Sequence, residues 1–184
     1  MQQAGAPLDG RRLRDAYGLF ATGVSIVTAR SAGGTRLGMT VSSFNAVSLA
    51  PPLVLFSLAR SAASFDAWAE AEHFAVHVLS AAQRALSDRF ARAGADKWAG
   101  LPDIAGPATG APLIEGALAV LECRTHARHP GGDHLIVLGE VLALATRHPA
   151  APRPLVFFAS RYRELAMPDR ADPAPPDQGP LGWS

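Results

Sequence analysis

The chain has 184 residues, a length that suits one domain and is short for two. Apolar residues make up 48% of it, enough to bury a core, and 17 basic residues against 16 acidic ones leave a net charge of +1, which gives no sequence-wide reason to expect a nucleic acid as partner. The single cysteine, Cys123, excludes an intrachain disulfide, and residues 1–7 lack the apolar core of a secretion signal. No run approaches eighteen uninterrupted apolar residues, so no membrane span is expected, and the lone cysteine suits a reducing, cytoplasmic compartment.

Residues 1–9 read as a flexible start. Asp9 is placed to cap a helix over 10–20, on which Leu13, Tyr17 and Phe20 recur at helical spacing. Strand patterns follow at 24–29 and 37–47, joined as a hairpin through Gly33-Gly34. Pro51-Pro52 lacks amide donors and separates this pair from a buried strand at 53–58. A short helix then presents Phe65, Trp68 and Ala69 on one face, with Ser61 or Ser64 at its start. Residues 73–79 form a strand with Phe74, Val76 and Val78 on one side. Ser80 and Gln83 make the Ser-x-x-Gln capping box of a further helix, whose buried face carries Ala82, Leu86 and Phe90 and which Gly94 ends.

Residues 99–117 hold four glycines and three prolines, and read as a long ordered excursion of the kind that often serves function. Residues 119–128 alternate, with Leu121, Cys123, Thr125 and Ala127 on one face and Glu122, Arg124, His126 and Arg128 on the other, as in a half-buried antiparallel strand. A turn at 129–133 leads into a long strand at 135–145, and a short one follows at 155–158. The main domain therefore spans 10–165, and 166–184 form a Pro-rich tail. Strands outnumber helices and pair as hairpins, so the fold class is mainly β, an antiparallel barrel with covering helices.

Several chemistries are not indicated. No Gly-x-Gly-x-x-Gly, P-loop, Gly-x-Ser-x-Gly or Cys-x-x-Cys pattern occurs. Cys123, His126, His129 and His134 are spaced poorly for a metal, because Cys123 and His126 fall on opposite faces of one strand, and no metal is expected. Lys97 stands out as the one lysine among seventeen basic residues. Ser/Thr side chains at 40–43 could meet the polar edge of a flat ring, or simply belong to an ordinary barrel strand. Ser61 and Ser64 could hold a phosphate at a helix start or merely cap the helix.

Five segments in order resemble one family. They are Phe20-Ala21-Thr22-Gly23-Val24 with Val27-Thr28; Gly38-Met39-Thr40-Val41-Ser42-Ser43-Phe44 running to Pro51-Pro52-Leu53-Val54; Phe74-Ala75-Val76-His77-Val78-Leu79-Ser80; Gly132-Asp133-His134 with Leu138-Gly139-Glu140-Val141; and Pro154-Leu155-Val156-Phe157 with Arg161-Tyr162. Over about residues 10–165 the chain is similar to the flavin reductase-like family with the FMN-binding split-barrel fold, which includes reductase components of two-component flavin monooxygenases.

The resemblance implies a homodimeric split barrel that binds FMN or FAD and uses NADH or NADPH to reduce it, for a partner monooxygenase served by diffusible reduced flavin. No arginine cluster suited to a 2′-phosphate stands out, which favours NADH. Carried over residue by residue, the resemblance gives flavin contacts at Thr40, Val41, Ser42, Ser43, Ser57, Leu58, Ala59, Ser61, Ser64, Phe65, His77 and Lys97. It gives a nicotinamide site at His134, Arg161 and Tyr162, with His134 as the catalytic residue oriented by Asp133. Two departures stand out: Ala62 and Ala63 replace part of a Ser/Thr run, and His77 stands where relatives usually have asparagine. The implied reaction is hydride transfer from nicotinamide C4 to flavin N5. Two other readings stay open: a split-barrel flavoprotein with prosthetic FMN acting on an organic substrate, and a non-catalytic flavin-binding module.

Overall fold

The computed structural model describes residues 9–147 and 153–165. The expected flexible start, apart from Asp9, and the Pro-rich tail lie outside the described residues.

Helix α1 (Gly10–Tyr17) opens on Asp9, whose carboxylate accepts the Arg11 N–H at 3.0 Å. It stops three residues before the expected end. Gly18 is a poor helix interior residue, and Leu19 and Phe20 turn back in i→i−3 bonds to Ala16 and Tyr17. No residue of α1 is buried, and Tyr17, Leu19 and Phe20 face outward.

The strands are β1 (Thr22–Gly23), β2 (Ser25–Arg30), β3 (Arg36–Val41), β4 (Asn45–Leu49), β5 (Pro52–Ala59), β6 (His73–Val78), β7 (Ile104–Ala105), β8 (Pro112–Leu113), β9 (Ala119–Gly131), β10 (His134–Thr146), β11 (Val156–Phe158) and β12 (Arg161–Arg163). Helix α2 (Phe65–Glu70) lies between β5 and β6. A 3-10 turn at Ala81–Gln83 runs into α3 (Arg84–Ala91). Seven strands form one antiparallel sheet in the order β3-β2-β6-β9-β10-β5-β4, while β1, β11 and β12 form a second sheet and β7 pairs with β8.

The strand expected over 37–47 is two strands. β3 pairs with β2 at one edge of the sheet and β4 pairs with β5 at the other, with 42–44 between them. Three linking residues can span only about 14 Å, so the ends of the two edge strands are close. At the break the Ser43 hydroxyl accepts the Ser57 N–H at 3.0 Å, a ladder-like bond made by a side chain. Pro52 opens β5, a strand position where a missing amide donor is tolerated.

Both faces of β2 and β6 are covered. Val27, Ala29, Phe74 and Val76 join Phe56 and Trp68 in one core cluster, and Ile26 joins Leu79, Phe90, Ile114 and Leu155 in the other. Phe56 meets Phe74 and Trp68 edge to face at 5.2 and 6.0 Å, contacts that add about 1 kcal/mol each beyond the area they bury.

The capping pattern at Ser80 is present, with the Gln83 amide oxygen accepting the Ser80 N–H at 3.0 Å. Helix α3 ends at Ala91 rather than Gly94. β9 continues to Gly131, so the turn is only Gly132-Asp133.

The alternation expected along β9 holds only in part. Register shifts against β10 leave His126 unpaired on β9 and Leu142 unpaired on β10. Glu122, expected to face solvent, is buried beside the fully buried Cys123. Its carboxylate accepts the N–H groups of Ala108 and Thr109 and the Thr109 hydroxyl at 2.8–3.1 Å. The 99–117 excursion is thus a cover tied to the sheet from below. Among the described residues no helix is long and apolar enough to cross a membrane, and no group of three or more potential ligands could hold a metal ion.

Candidate active site

A cleft of about 740 Å³ opens along β3. Its other walls are the 42–43 crossing, the last residues of β5, the turn before α2, the end of α3 with the segment to Trp98, and His134.

The β3 wall is an edge strand, so half of its backbone groups have no ladder partner. The carbonyl of Arg36 accepts the Trp98 indole N–H at 3.1 Å, and the carbonyl of Gly38 accepts the Lys97 ammonium at 2.9 Å. By the two-residue period of a strand, the backbone N–H and C=O of Thr40 point the same way, away from β2. The Thr40 hydroxyl donates to the Ser87 carbonyl of α3 at 2.7 Å. Its proton is therefore committed, and towards the cleft its oxygen can only accept.

Gly38 is fixed by close approach: a Cβ there would overlap the Phe90 ring and touch Trp98. This lets α3 lie flat on β3. Phe90 meets Trp98 edge to face at 5.1 Å, and the Arg36 guanidinium sits over the indole at 4.7 Å. One end of the cleft thus carries two cations, Arg36 and Lys97, and burial pushes the Lys97 ammonium below its usual pKa.

At the opposite wall, Ser57, Leu58 and Ala59 end β5, and Ala62, Ala63 and Ser64 form the turn into α2. Ser64 occupies the N-cap position, but its hydroxyl makes no capping bond. His134 pairs with Ala59 across the sheet, which brings its ring to the cleft. Its Nδ1 lies 2.8 Å from Asp133 Oδ1. That hydrogen bond, then the imidazole's charge, holds the Asp133 carboxyl below its ordinary pKa.

Of the residues expected from sequence, ten line this cleft: Thr40, Val41, Ser42, Ser43, Ser57, Leu58, Ala59, Ser64, Lys97 and His134. Five lie elsewhere. Ser61 and Phe65 are outside the lining, with Phe65 under the Arg60 guanidinium. His77 is fully buried on the far face of β6. Its Nδ1 lies 3.1 Å from the Ile26 carbonyl and its Nε2 accepts the Ile114 N–H at 3.1 Å, so the ring is neutral and both nitrogens are used within the core. Tyr162 bonds the Ser87 hydroxyl at 2.8 Å through its own, and Arg161 is exposed on β12. Sequence reasoning missed Arg36, Gly38, Phe90 and Trp98. Their only signal was proximity to Thr40 and Lys97, and nothing in the pattern says that α3 lies on β3.

Residues 17–166 match the family model described as flavin reductase like domain. The chain belongs to the flavin reductase-like family. Among curated members, it is 42% identical over 171 residues to the actinorhodin polyketide dimerase of Streptomyces coelicolor, covering 93% of this chain and 95% of that one. It is 49% identical over 141 residues to the FMN reductase (NADH) SmoA of Agrobacterium fabrum, covering 76% and 78%. To the flavin-dependent monooxygenase reductase subunit HsaB of Mycobacterium tuberculosis it is 37% identical over 169 residues, covering 92% and 89%. Among solved structures, the NADH:FAD oxidoreductase SgcE6 of Streptomyces globisporus, in complex with NAD and FAD fragments, aligns with a TM-score of 0.80 at 38% identity, over 90% of this chain and all of that one. The cleft combines small residues at Ser42, Ser43, Ala59, Ala62 and Ala63, the Thr40 segment of a strand edge, and the cations Arg36 and Lys97, a set that suits a flat ring with an anionic tail.

Proposed function

We propose that this chain is an NADH-dependent flavin reductase that supplies reduced FMN or FAD to a partner monooxygenase. The observation that carries the reading is the cleft itself, where the Thr40 end of the β3 edge, Lys97 and His134 line one space. Relatives named as NADH-dependent reductases and as a monooxygenase reductase subunit support it.

A bound flavin would supply the redox chemistry, acceptance of a hydride from a reduced nicotinamide. The chain's own residues bind and orient. The Thr40 backbone groups and the Ser42 and Ser43 stretch would hold the polar edge of the ring, with the Thr40 oxygen free to accept from a ligand N–H. Leu58 and Ala59, with Val41, give it an apolar surface. Lys97 neutralises a phosphate as a point charge, and Ser57 and Ser64 add polar contacts. His134, aimed by Asp133, faces the nicotinamide side. No covalent nucleophile is required, and holding two rings at about 3–3.5 Å makes the transfer effectively intramolecular.

The working form is a homodimeric split barrel in the cytoplasm. The three-residue link between the two edge strands supports closure of the barrel. Val47, Leu49, Leu142 and Leu144, exposed on β4 and β10, supply apolar surface for a second copy. Sedimentation of the purified protein tests this, and a monomer at micromolar concentration overturns it.

A second reading, a flavoprotein with prosthetic FMN acting on an organic substrate, is favoured by the relative named as a polyketide dimerase. One experiment separates the two. Purified protein is mixed anaerobically with NADH and a molar excess of free FMN or FAD, and the visible flavin absorbance is followed. Catalytic bleaching of the whole flavin pool is expected. Bleaching of a stoichiometric bound fraction alone selects the second reading.

A further inference from the structure

The β9–β10 hairpin reverses on two residues, Gly132 and Asp133. Gly132 has φ +66°, the left-handed region that favours glycine. Both carbonyls of this turn accept hydrogen bonds from one residue at the neighbouring strand end, one from its backbone N–H and one from its side chain. The Arg60 N–H donates to the Asp133 carbonyl at 2.9 Å, and Arg60 Nε donates to the Gly132 carbonyl at 3.3 Å. The guanidinium lies over the Phe65 ring at 5.6 Å, which ties the side chain to the start of α2.

The turn held in this way carries the Asp133 carboxylate, which in turn holds His134 Nδ1 at 2.8 Å. Arg60 is exposed and does not line the cleft, and its hydrogen bonds to this turn connect it to His134. A two-residue turn with one glycine can tilt, and a small tilt at its tip swings the Asp133 carboxylate away from the imidazole.

We infer that Arg60 is a positioning residue: its side chain clamps the Gly132-Asp133 turn and thereby fixes the orientation of the His134 imidazole at the cleft. The kinetic part of this inference rests on the reading of His134 as the group facing the nicotinamide, while the orientation itself does not.

The test uses Arg60→Leu, which leaves an apolar side chain beside Phe65 and removes the side-chain donor while the backbone N–H stays, and Arg60→Lys, which restores a side-chain donor. The first readout is the ring-nitrogen NMR spectrum of His134 in the full chain, which reports its tautomer and Nδ1 hydrogen bond without any turnover. In Arg60→Leu the Nδ1 resonance moves towards that of a free imidazole, and in Arg60→Lys it returns part of the way. An unchanged resonance in Arg60→Leu overturns the inference.

The second readout is kinetic. Arg60→Leu lowers kcat/KM for NADH about tenfold, with flavin Kd within about twofold of the parent, and has no further effect in a His134→Ala background. An equal loss in that background shows a role that does not pass through His134 and also overturns it. A parent protein that turns over no flavin removes the reductase reading, and the NMR comparison then decides the orientation by itself.

Discussion

Lys97 donates its ammonium to the carbonyl of Gly38 at 2.9 Å, across the mouth of the cleft. That bond takes one of its three N–H donors and aims the charge along the β3 edge, leaving two donors for an anion. Replacing it with methionine keeps most of the stem and removes the charge. Lys97→Met is expected to weaken FMN binding about tenfold, the loss of one charge-assisted hydrogen bond, and to leave riboflavin, which has no phosphate, nearly unaffected. Fluorescence titration with both flavins checks this. Equal weakening of the two would show that Lys97 shapes the cleft rather than holding the phosphate.

Gly38 has no room for a side chain, because Phe90 occupies the space where a Cβ would stand. Gly38→Ala is expected to cost about 1–3 kcal/mol in urea unfolding, by pushing α3 off β3. It also weakens flavin binding, because Phe90 and Trp98 line the same cleft. Adding Phe90→Leu to Gly38→Ala should recover part of the stability. A Gly38→Ala protein as stable as the parent would mean that α3 docks loosely.

His77 gives the fold a dependence on acid. Burial lowers its pKa from 6.5 to about 4, against a smaller opposite effect of the Ile26 carbonyl. Protonation would place an N–H at Nε2 facing the N–H of Ile114, so the folded state resists it. The folded pKa is depressed, so the unfolded chain binds the proton first as pH falls. The His77 contribution is therefore complete above pH 6.5 and is lost progressively down to pH 4. The size is about 3 kcal/mol. Urea unfolding from pH 7 to pH 4 should show this slope in the parent and a much flatter one in His77→Asn. The same slope in both would move the effect to other groups.

Ten of the fifteen residues that the resemblance points to share the cleft. The Ser/Thr run at 40–43, the isolated Lys97 and the Gly-Asp-His turn stand out through the family resemblance, and 40–43, Lys97 and His134 line one cleft. What was not legible depends on which surfaces meet. His77 lies opposite Phe74 and Val76, as its strand period requires, but nothing in that period says that residues 112–114 cover its face. Glu122 reads as a solvent residue until the 106–111 segment folds onto it. The register shifts at His126 and Leu142 break an alternation that looks unbroken in sequence. The division of 37–47 into two strands follows from partner choice, since β3 and β4 join opposite edges of one sheet.

The burial of Cys123 bears on survival under oxidants. A reduced flavin released into air gives its two electrons and two protons to oxygen, returning oxidised flavin and hydrogen peroxide. Peroxide attacks thiolates, not thiols. Burial first, and the neighbouring Glu122 charge second, push the Cys123 thiol up to about 12, so almost none of it ionises at neutral pH. The chain's one sulfhydryl is thus a poor target for peroxide, whatever flavin chemistry takes place in the cleft.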